Sequence, residues 1–265
     1  MPTIISISDP EDPRIEAYRS VRERDLVGRQ GHFIAEGEVV LRVLLASRHQ
    51  PVSLLLADKR LDGLRALLQV LDDGVPVYTA PQPIIDGIAG FPLHRGILAL
   101  GRRAPPVDPA QLLAACPPRA LVVVLSAIAN HDNMGGLFRN AAAFGADAVL
   151  LDAQCCDPLY RKAIRVSVGG CLKVPFARIE AGTDIPALLA SQGFTAIALS
   201  PSAETPLSRA PRPERTALLF GAEGPGLPAD LLARTQTVGI PMTGGFDSLN
   251  VATTSGIALY HFTRD

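Results

Sequence analysis

The 265-residue sequence predicts an α/β protein built as two units, and three observations carry that prediction. Short, fully apolar β-type runs recur through the second half, separated by segments whose apolar residues have helical spacing. The first half shows the same alternation in a weaker form. Between the halves lies a proline-dense stretch, GRRAPPVDP at 101–109 closed by CPPR at 116–119, where adjacent prolines favour extended backbone. The expected layout is a small α/β domain over residues 1–104, a linker over 105–119 and a second domain over 120–265. At 48% hydrophobic and 19% charged, the composition supports sizeable cores and argues against global disorder.

In the first half, a short polar helix is expected over 15–24, after the Asp-Pro breaks. A strand at 32–35 leads into a helix at 38–46 (EVVLRVLLA). Then follow a buried strand at 52–56, a helix at 61–71, a strand at 75–78, a helix at 83–89 and a strand at 97–100. In the second half, strands are expected at 121–125 (LVVVL), 148–151, 195–199, 216–220 and 237–240. Helix-compatible segments lie at 134–144, 159–168, 185–191 and 228–234, with a closing helix over 249–262. Apolar strands alternating with helices imply a parallel sheet covered on both faces. Ligands of such sheets gather at the carboxyl ends of the strands, which directs attention to three post-strand loops.

Composition narrows the function classes. A net charge of −1 excludes a strongly basic polymer binder, while a local basic patch remains compatible with nucleic acid. The opening residues 1–10 carry no basic n-region, and no apolar run approaches the ~20 residues that span a bilayer. Cys116, Cys155, Cys156 and Cys171 form no CxxC, and the adjacent pair suits neither a zinc site nor an easy disulfide. Reduced thiols in a cytoplasmic protein, with no metal, are the expectation.

The first loop follows 121–125 and reads SAIANHDNMGGLFRNAAAFGAD. Met134, Leu137, Phe138 and Ala141 share a helical face directed to the sheet. Arg139 lies about 140° around the wheel from Met134 at 100° per residue, so it projects away from that face. Asn133, placed just before the expected helix, either caps free N–H groups or contacts a ligand.

The second loop, FGAEGPGL at 220–227, has glycines that let the backbone approach a ligand closely. It is neither a GxGxxG nor a P-loop, which makes a nucleotide-dependent oxidoreductase a poor reading. Glu223 can bond backbone N–H groups or a cation such as Arg139. The third loop, IPMTGGFDSLNVATTSGIALY at 240–260, turns at Gly244–Gly245, with Asp247 or Ser248 as caps for the closing helix. Leu249, Ala252, Thr253, Gly256, Ile257 and Tyr260 fall on one stripe, suited to a core helix or to another subunit.

In combination and in this order, NMGGLFRNAAAFGAD, LLFGAEGPGL and IPMTGGFDSLNVA resemble the three motifs of the SpoU/TrmH-type RNA ribose 2′-O-methyltransferases of the SPOUT superfamily. The likeness covers the chain after the linker. HFIAEGEVVLRVLLAS, before it, more loosely resembles the ribosomal-protein-like substrate-binding domain of many members. The resemblance implies a parallel-sheet domain with a deep trefoil knot, a homodimer through that domain, and S-adenosylmethionine as methyl donor. Carried onto this chain, the donor-binding positions are Leu199, Ser200, Gly221, Ile240 and Leu249.

The catalytic positions implied are Arg139, Asn133, Glu223, Ser248 and Asn250. A ribose 2′-hydroxyl holds its proton tightly, so transfer requires in-line approach and polarisation of that proton. Arg139 suits orientation and stabilisation of the developing alkoxide, with general-base work as the other reading. Glu223 would hold Arg139 or Asn133, and Ser248 and Asn250 would shape the loop over the methyl group. Arg14, Arg22 and Arg29, with Arg161 and Arg165, are candidate phosphate contacts; a salt-bridged surface is the alternative, since Glu16, Glu23 and Asp25 interleave with the first set. The function implied is ribose methylation of RNA, ribosomal before transfer RNA, with a non-catalytic RNA-binding protein of the same fold as the other reading.

Overall fold

The computed structural model describes residues 2–19, 23–89, 95–244 and 248–264. They divide into two compact units, one of 1–105 with 159–173, the other of 106–158 with 174–265.

The first unit is built on strands β1 (Ile4–Ser6), β2 (His32–Glu36), β3 (Gln50–Ala57), β4 (Val77–Ala80) and β5 (Ile97–Arg102). They form one sheet in the order β1-β4-β3-β5-β2, in which β1, β4 and β3 run parallel and β5 pairs antiparallel with both β3 and β2. Helices α1 (Glu23–Gly28), α2 (Glu38–Leu45), α3 (Leu61–Leu68) and α4 (Gln82–Ala89) connect the strands. The polar helix expected over 15–24 is instead a 3-10 turn at Pro13–Tyr18, capped by the Asp12 side chain, with α1 starting later. Tyr18 reaches into the core, where its hydroxyl lies 2.7 Å from Ser53 Oγ and burial pushes the phenol up. Gly37 makes the turn from β2 into α2 at φ +91°, a conformation that favours glycine.

The second unit begins with α5 (Pro109–Ala114), where an extended linker was expected. Proline is compatible with the first turn of a helix, and Asp108 caps it by accepting from Gln111 N at 2.9 Å. Leu112 and Leu113 then enter the core beneath the sheet. The chain continues through β6 (Ala120–Leu125), α6 (His131–Ala143) and β7 (Ala148–Leu151).

After β7 come α7 (Arg161–Val166) and α8 (Gly170–Lys173), which group with the first unit although the expected boundary gave them to the second. Their buried face, with Ala163, Ile164, Cys171 and Leu172, packs against α2 and β2, and Arg161 pairs with Glu36 of β2. The rest is β8 (Phe176–Arg178), α9 (Ile185–Ser191), β9 (Thr195–Leu199), β10 (Arg215–Phe220), α10 (Ala229–Ala233), β11 (Gln236–Val238) and α11 (Val251–Thr263).

The six strands of this unit are all parallel, in the order β11-β9-β10-β6-β7-β8. From β6 the chain runs outward to β7 and β8, then returns to the other side through β9 and β10. The strand order therefore switches direction between β6 and β10, and the loops leaving their carboxyl ends diverge there, which is where open α/β sheets bind ligands.

Candidate active site

Four chain segments meet beside that point, at the carboxyl ends of β9, β10 and β11. A cavity of about 430 Å³ is lined by residues drawn from 199–201, 220–226, 238–242 and 248–254, among them Leu199, Ser200, Gly221, Ile240 and Leu249. The volume lies in the range typical of small-molecule sites, about 300–1,000 Å³. Its walls combine aliphatic side chains (Leu199, Val238, Ile240) with loop backbone. Residues 221–227 fold back so closely that a Cβ on Gly221 would stand 2.3 Å from the carbonyl carbon of Gly226. Gly226 N donates to Ala222 O at 3.0 Å, closing this hairpin-like loop. Such a slot suits a flat nucleobase held by backbone edges, with the exposed carboxylate of Glu223 on its rim favouring a cation.

The polar machinery beside the cavity centres on Asn250. Its Nδ2 donates to Asn133 Oδ1 at 2.8 Å and to Glu223 Oε1 at 3.0 Å. Its Oδ1 accepts from Ala252 N at 2.9 Å and Thr253 N at 3.3 Å, capping α11. Both amide hydrogens and the oxygen are thus engaged, and one side chain ties together all three motif loops. Ser248 lines the cavity, while Asp247, offered with it as the cap, lies outside the described residues, as does Gly245. Asn250 takes the capping role, and the helix begins at Val251.

The same displacement occurs at α6. Asn133 does not cap it: Asn130 does, accepting from Asp132 N at 2.7 Å and Asn133 N at 3.4 Å. Asn133 sits inside the first turn, 7% exposed. Because its Oδ1 faces Asn250, its Nδ2 is left to donate elsewhere, which suits an incoming oxygen. Arg139, on the exposed side of α6, has no hydrogen bond or ion pair among the described residues, and Glu223 bonds Asn250 rather than Arg139.

Helices α6 and α11 are clasped together. Asn140 Nδ2 donates to Ala252 O at 2.6 Å and to Ser255 Oγ at 2.9 Å, and a Cβ on Gly136 would meet Ala252 Cβ at 2.6 Å. Sequence reasoning missed Asn140, although its place one residue after Arg139 was in view. Of the expected stripe, Ala252 and Gly256 of α11 face α6, whereas Leu249, before the helix starts, and Ile257 and Tyr260 on it are exposed.

The candidate phosphate contacts are mostly held by carboxylates. Arg14 forms a two-pronged pair with Asp12, holding that carboxyl down to about 2, and Arg29 reaches Asp25 at 3.4 Å. Arg161 donates to the buried Glu36 from Nε at 3.1 Å and Nη2 at 3.0 Å. Arg165 is exposed, and Arg22 lies outside the described residues. The salt-bridged alternative describes Arg14, Arg29 and Arg161.

An all-parallel α/β sheet with a cavity at the carboxyl ends of β9, β10 and β11, and an amide linking three loops beside it, defines a ligand-binding protein of the α/β class. The chain belongs to the SpoU rRNA methylase family, whose profile matches residues 120–260, and is an RNA methyltransferase of that family. It is 41% identical to an uncharacterized tRNA/rRNA methyltransferase of Mycobacterium bovis over 97% of this chain and 91% of that one. A Synechocystis protein similarly described is 28% identical over 98% of this chain and 94% of its own. The fold is shared with an AdoMet-bound rRNA methyltransferase from Sinorhizobium meliloti, with a TM-score of 0.83, 22% identity and coverage of 98% of this chain and 97% of that one. It is shared also with the SpoU methyltransferase AviRb from Streptomyces viridochromogenes, with a TM-score of 0.81, 20% identity and coverage of 95% and 98%.

Proposed function

We propose that this chain transfers a methyl group from S-adenosylmethionine to a ribose 2′-hydroxyl of RNA, with ribosomal RNA as the substrate. The observation that carries the reading is the link from Asn250, which lines the cavity with Glu223, to that carboxylate and to Asn133 beside it. It joins a slot fit for a nucleoside to a donor fit for an oxygen.

The backbone around Gly221, Leu199 and Ile240 would hold the adenosyl group, with Leu249 covering it. When bound, the cofactor supplies a methyl group activated on a sulfonium. Glu223 favours that positive charge at the cavity rim. Asn133 Nδ2 donates to the ribose oxygen and fixes its line of approach. Arg139, exposed and charged, receives the adjacent phosphate and stabilises the oxygen as its proton passes to solvent water. Arg165, exposed on α7, supplies a further phosphate contact from the first unit, which serves as the RNA-binding domain.

The packing of α11 on α6 and the switch in strand order support a knotted path for the C-terminal segment, as the resemblance implies. Ile257 and Tyr260, 40% and 54% exposed on α11, support a homodimer through this helix. Among the described residues no helix is long and apolar enough to cross a membrane. Four free cysteines, with burial pushing the Cys155 thiol up to about 12, favour the reducing cytoplasm.

The test is transfer of labelled methyl groups to RNA from cells lacking the protein. Label on a ribose oxygen of ribosomal RNA is expected. Label confined to bases overturns the ribose assignment, and label confined to transfer RNA overturns the ribosomal one.

A further inference from the structure

We infer that Asp152, which lines no part of the 430 Å³ cavity, is a positioning residue for methyl transfer that holds the loop aiming Asn133. The inference rests on the function proposed above and assigns that site a supporting residue outside the three motifs.

Asp152 follows β7, and its carboxylate binds four donors. Oδ2 accepts from Ser126 Oγ at 2.7 Å and Ala127 N at 2.9 Å. Oδ1 accepts from Gln154 N at 2.9 Å and Cys155 N at 3.0 Å. Four donors on two oxygens are what an ionised carboxylate can take, and an amide cannot. One side chain therefore joins the turn after β7 to the loop after β6.

That loop needs holding. Ala127 stands at φ +55°, in the left-handed region that non-glycine residues rarely occupy, and such geometry persists only where surrounding bonds impose it. The bracket continues beyond Asp152. Cys156 N donates to Ile128 O at 2.8 Å, and Ile128 N lies 3.4 Å from Cys155 Sγ. On the far side, the Arg178 guanidinium grips the carbonyls of Cys155 at 3.0 Å and Cys156 at 3.2 Å. The held loop ends at Asn130, whose side chain starts α6 and sets the place of Asn133.

None of residues 126–130 lines the cavity, and the backbone bond from Ser126 N to Phe220 O on its wall, 2.9 Å, does not involve Asp152, so loosening this bracket disturbs the oxygen donor more than the cofactor slot. This separates a positioning role from general destabilisation.

The test compares the full-length protein with Asp152→Asn and Ser126→Ala. Asp152→Asn turns an acceptor into a donor facing N–H groups, and Ser126→Ala removes one bond of four. We expect kcat for RNA methylation to fall at least ~10-fold in Asp152→Asn and ~2–5-fold in Ser126→Ala. KM and calorimetric Kd for S-adenosylmethionine should stay within about 2-fold in both. Amide exchange over 127–133 should accelerate in Asp152→Asn, with β9 and β10 unchanged.

A wild-type kcat for Asp152→Asn overturns the inference, as does a loss matched by cofactor affinity or by the folded fraction alone. Should Asp152→Asn fail to fold, Ser126→Ala decides by the same split. If the parent protein methylates no ribose, the proposed function fails instead; unchanged exchange over 127–133 then overturns the bracket itself.

Discussion

Asn250 Nδ2 lies 2.8 Å from Asn133 Oδ1, across 117 residues of chain. The bond joins the start of α11 to the first turn of α6, and the same amide reaches Glu223 at the cavity rim.

Asn250→Asp separates its two functions. An aspartate keeps the cap, because a carboxylate accepts the free N–H groups of α11 and is favoured by the helix dipole. It also faces Glu223 and Asn133 Oδ1 with no donor. Methyl transfer should fall at least ~10-fold with little change in thermal midpoint, whereas Asn250→Ala should lose the cap as well, about 1 kcal/mol. Activity assays beside thermal melts check both.

Arg139→Ala should reduce transfer at least ~100-fold while stability stays within about 0.5 kcal/mol, since the side chain is exposed and bonds nothing among the described residues. Urea unfolding and cofactor calorimetry provide the controls. A matching loss of stability would assign Arg139 to the scaffold.

Arg161→Met should destabilise the first unit by about 3–5 kcal/mol, because Glu36 is left as a buried charge without its partner. The double variant Glu36→Gln with Arg161→Met should recover much of that loss. Chemical denaturation of the four forms closes the cycle.

His49 makes stability pH-dependent. It is 4% exposed, its Nδ1 accepts from Ala104 N at 3.1 Å, and Phe33 packs edge-on against its ring. Burial, then the charges of Arg48 and Arg103, lower its pKa to about 4. The unfolded chain therefore binds the proton more readily than the folded one. Stability is fully present above about pH 6.5 and is lost as pH falls towards 4, by up to ~3 kcal/mol. His49→Gln should flatten that dependence in unfolding curves taken between pH 7 and 5.

The apolar strands pointed to the loops that wall the cavity, while the family resemblance, not periodicity, supplied the individual donor-binding positions. Leu199, Ser200, Gly221, Ile240 and Leu249 all reach the cavity. Caps were misread by a few residues: any of several Asn, Asp or Ser side chains near a helix start can accept the free N–H groups, and only geometry chooses Asn130 or Asn250. The short edge strands β1 and β8 carry too few residues to show a period. The arginines were hardest to read. Whether Arg161 faces phosphate or carboxylate depends on Glu36, 125 positions away, and charge spacing along the chain contains no such information. Proline density at 105–119 suggested extended backbone, but Pro109 at the first position of α5 is compatible with helix.

The grouping of 159–173 with the first unit means that the polypeptide crosses between the two bodies three times, not once. A truncation at residue 105 would therefore strand Ala163, Ile164 and Cys171 without the neighbours that shield them, and leave Arg161 lacking its anion. A catalytic fragment worth expressing needs that excursion replaced by a polar linker from 158 to 174. The same passage makes the halves poor candidates for independent exchange between relatives, since a recombination point near 105 would mix parental sequences inside one core.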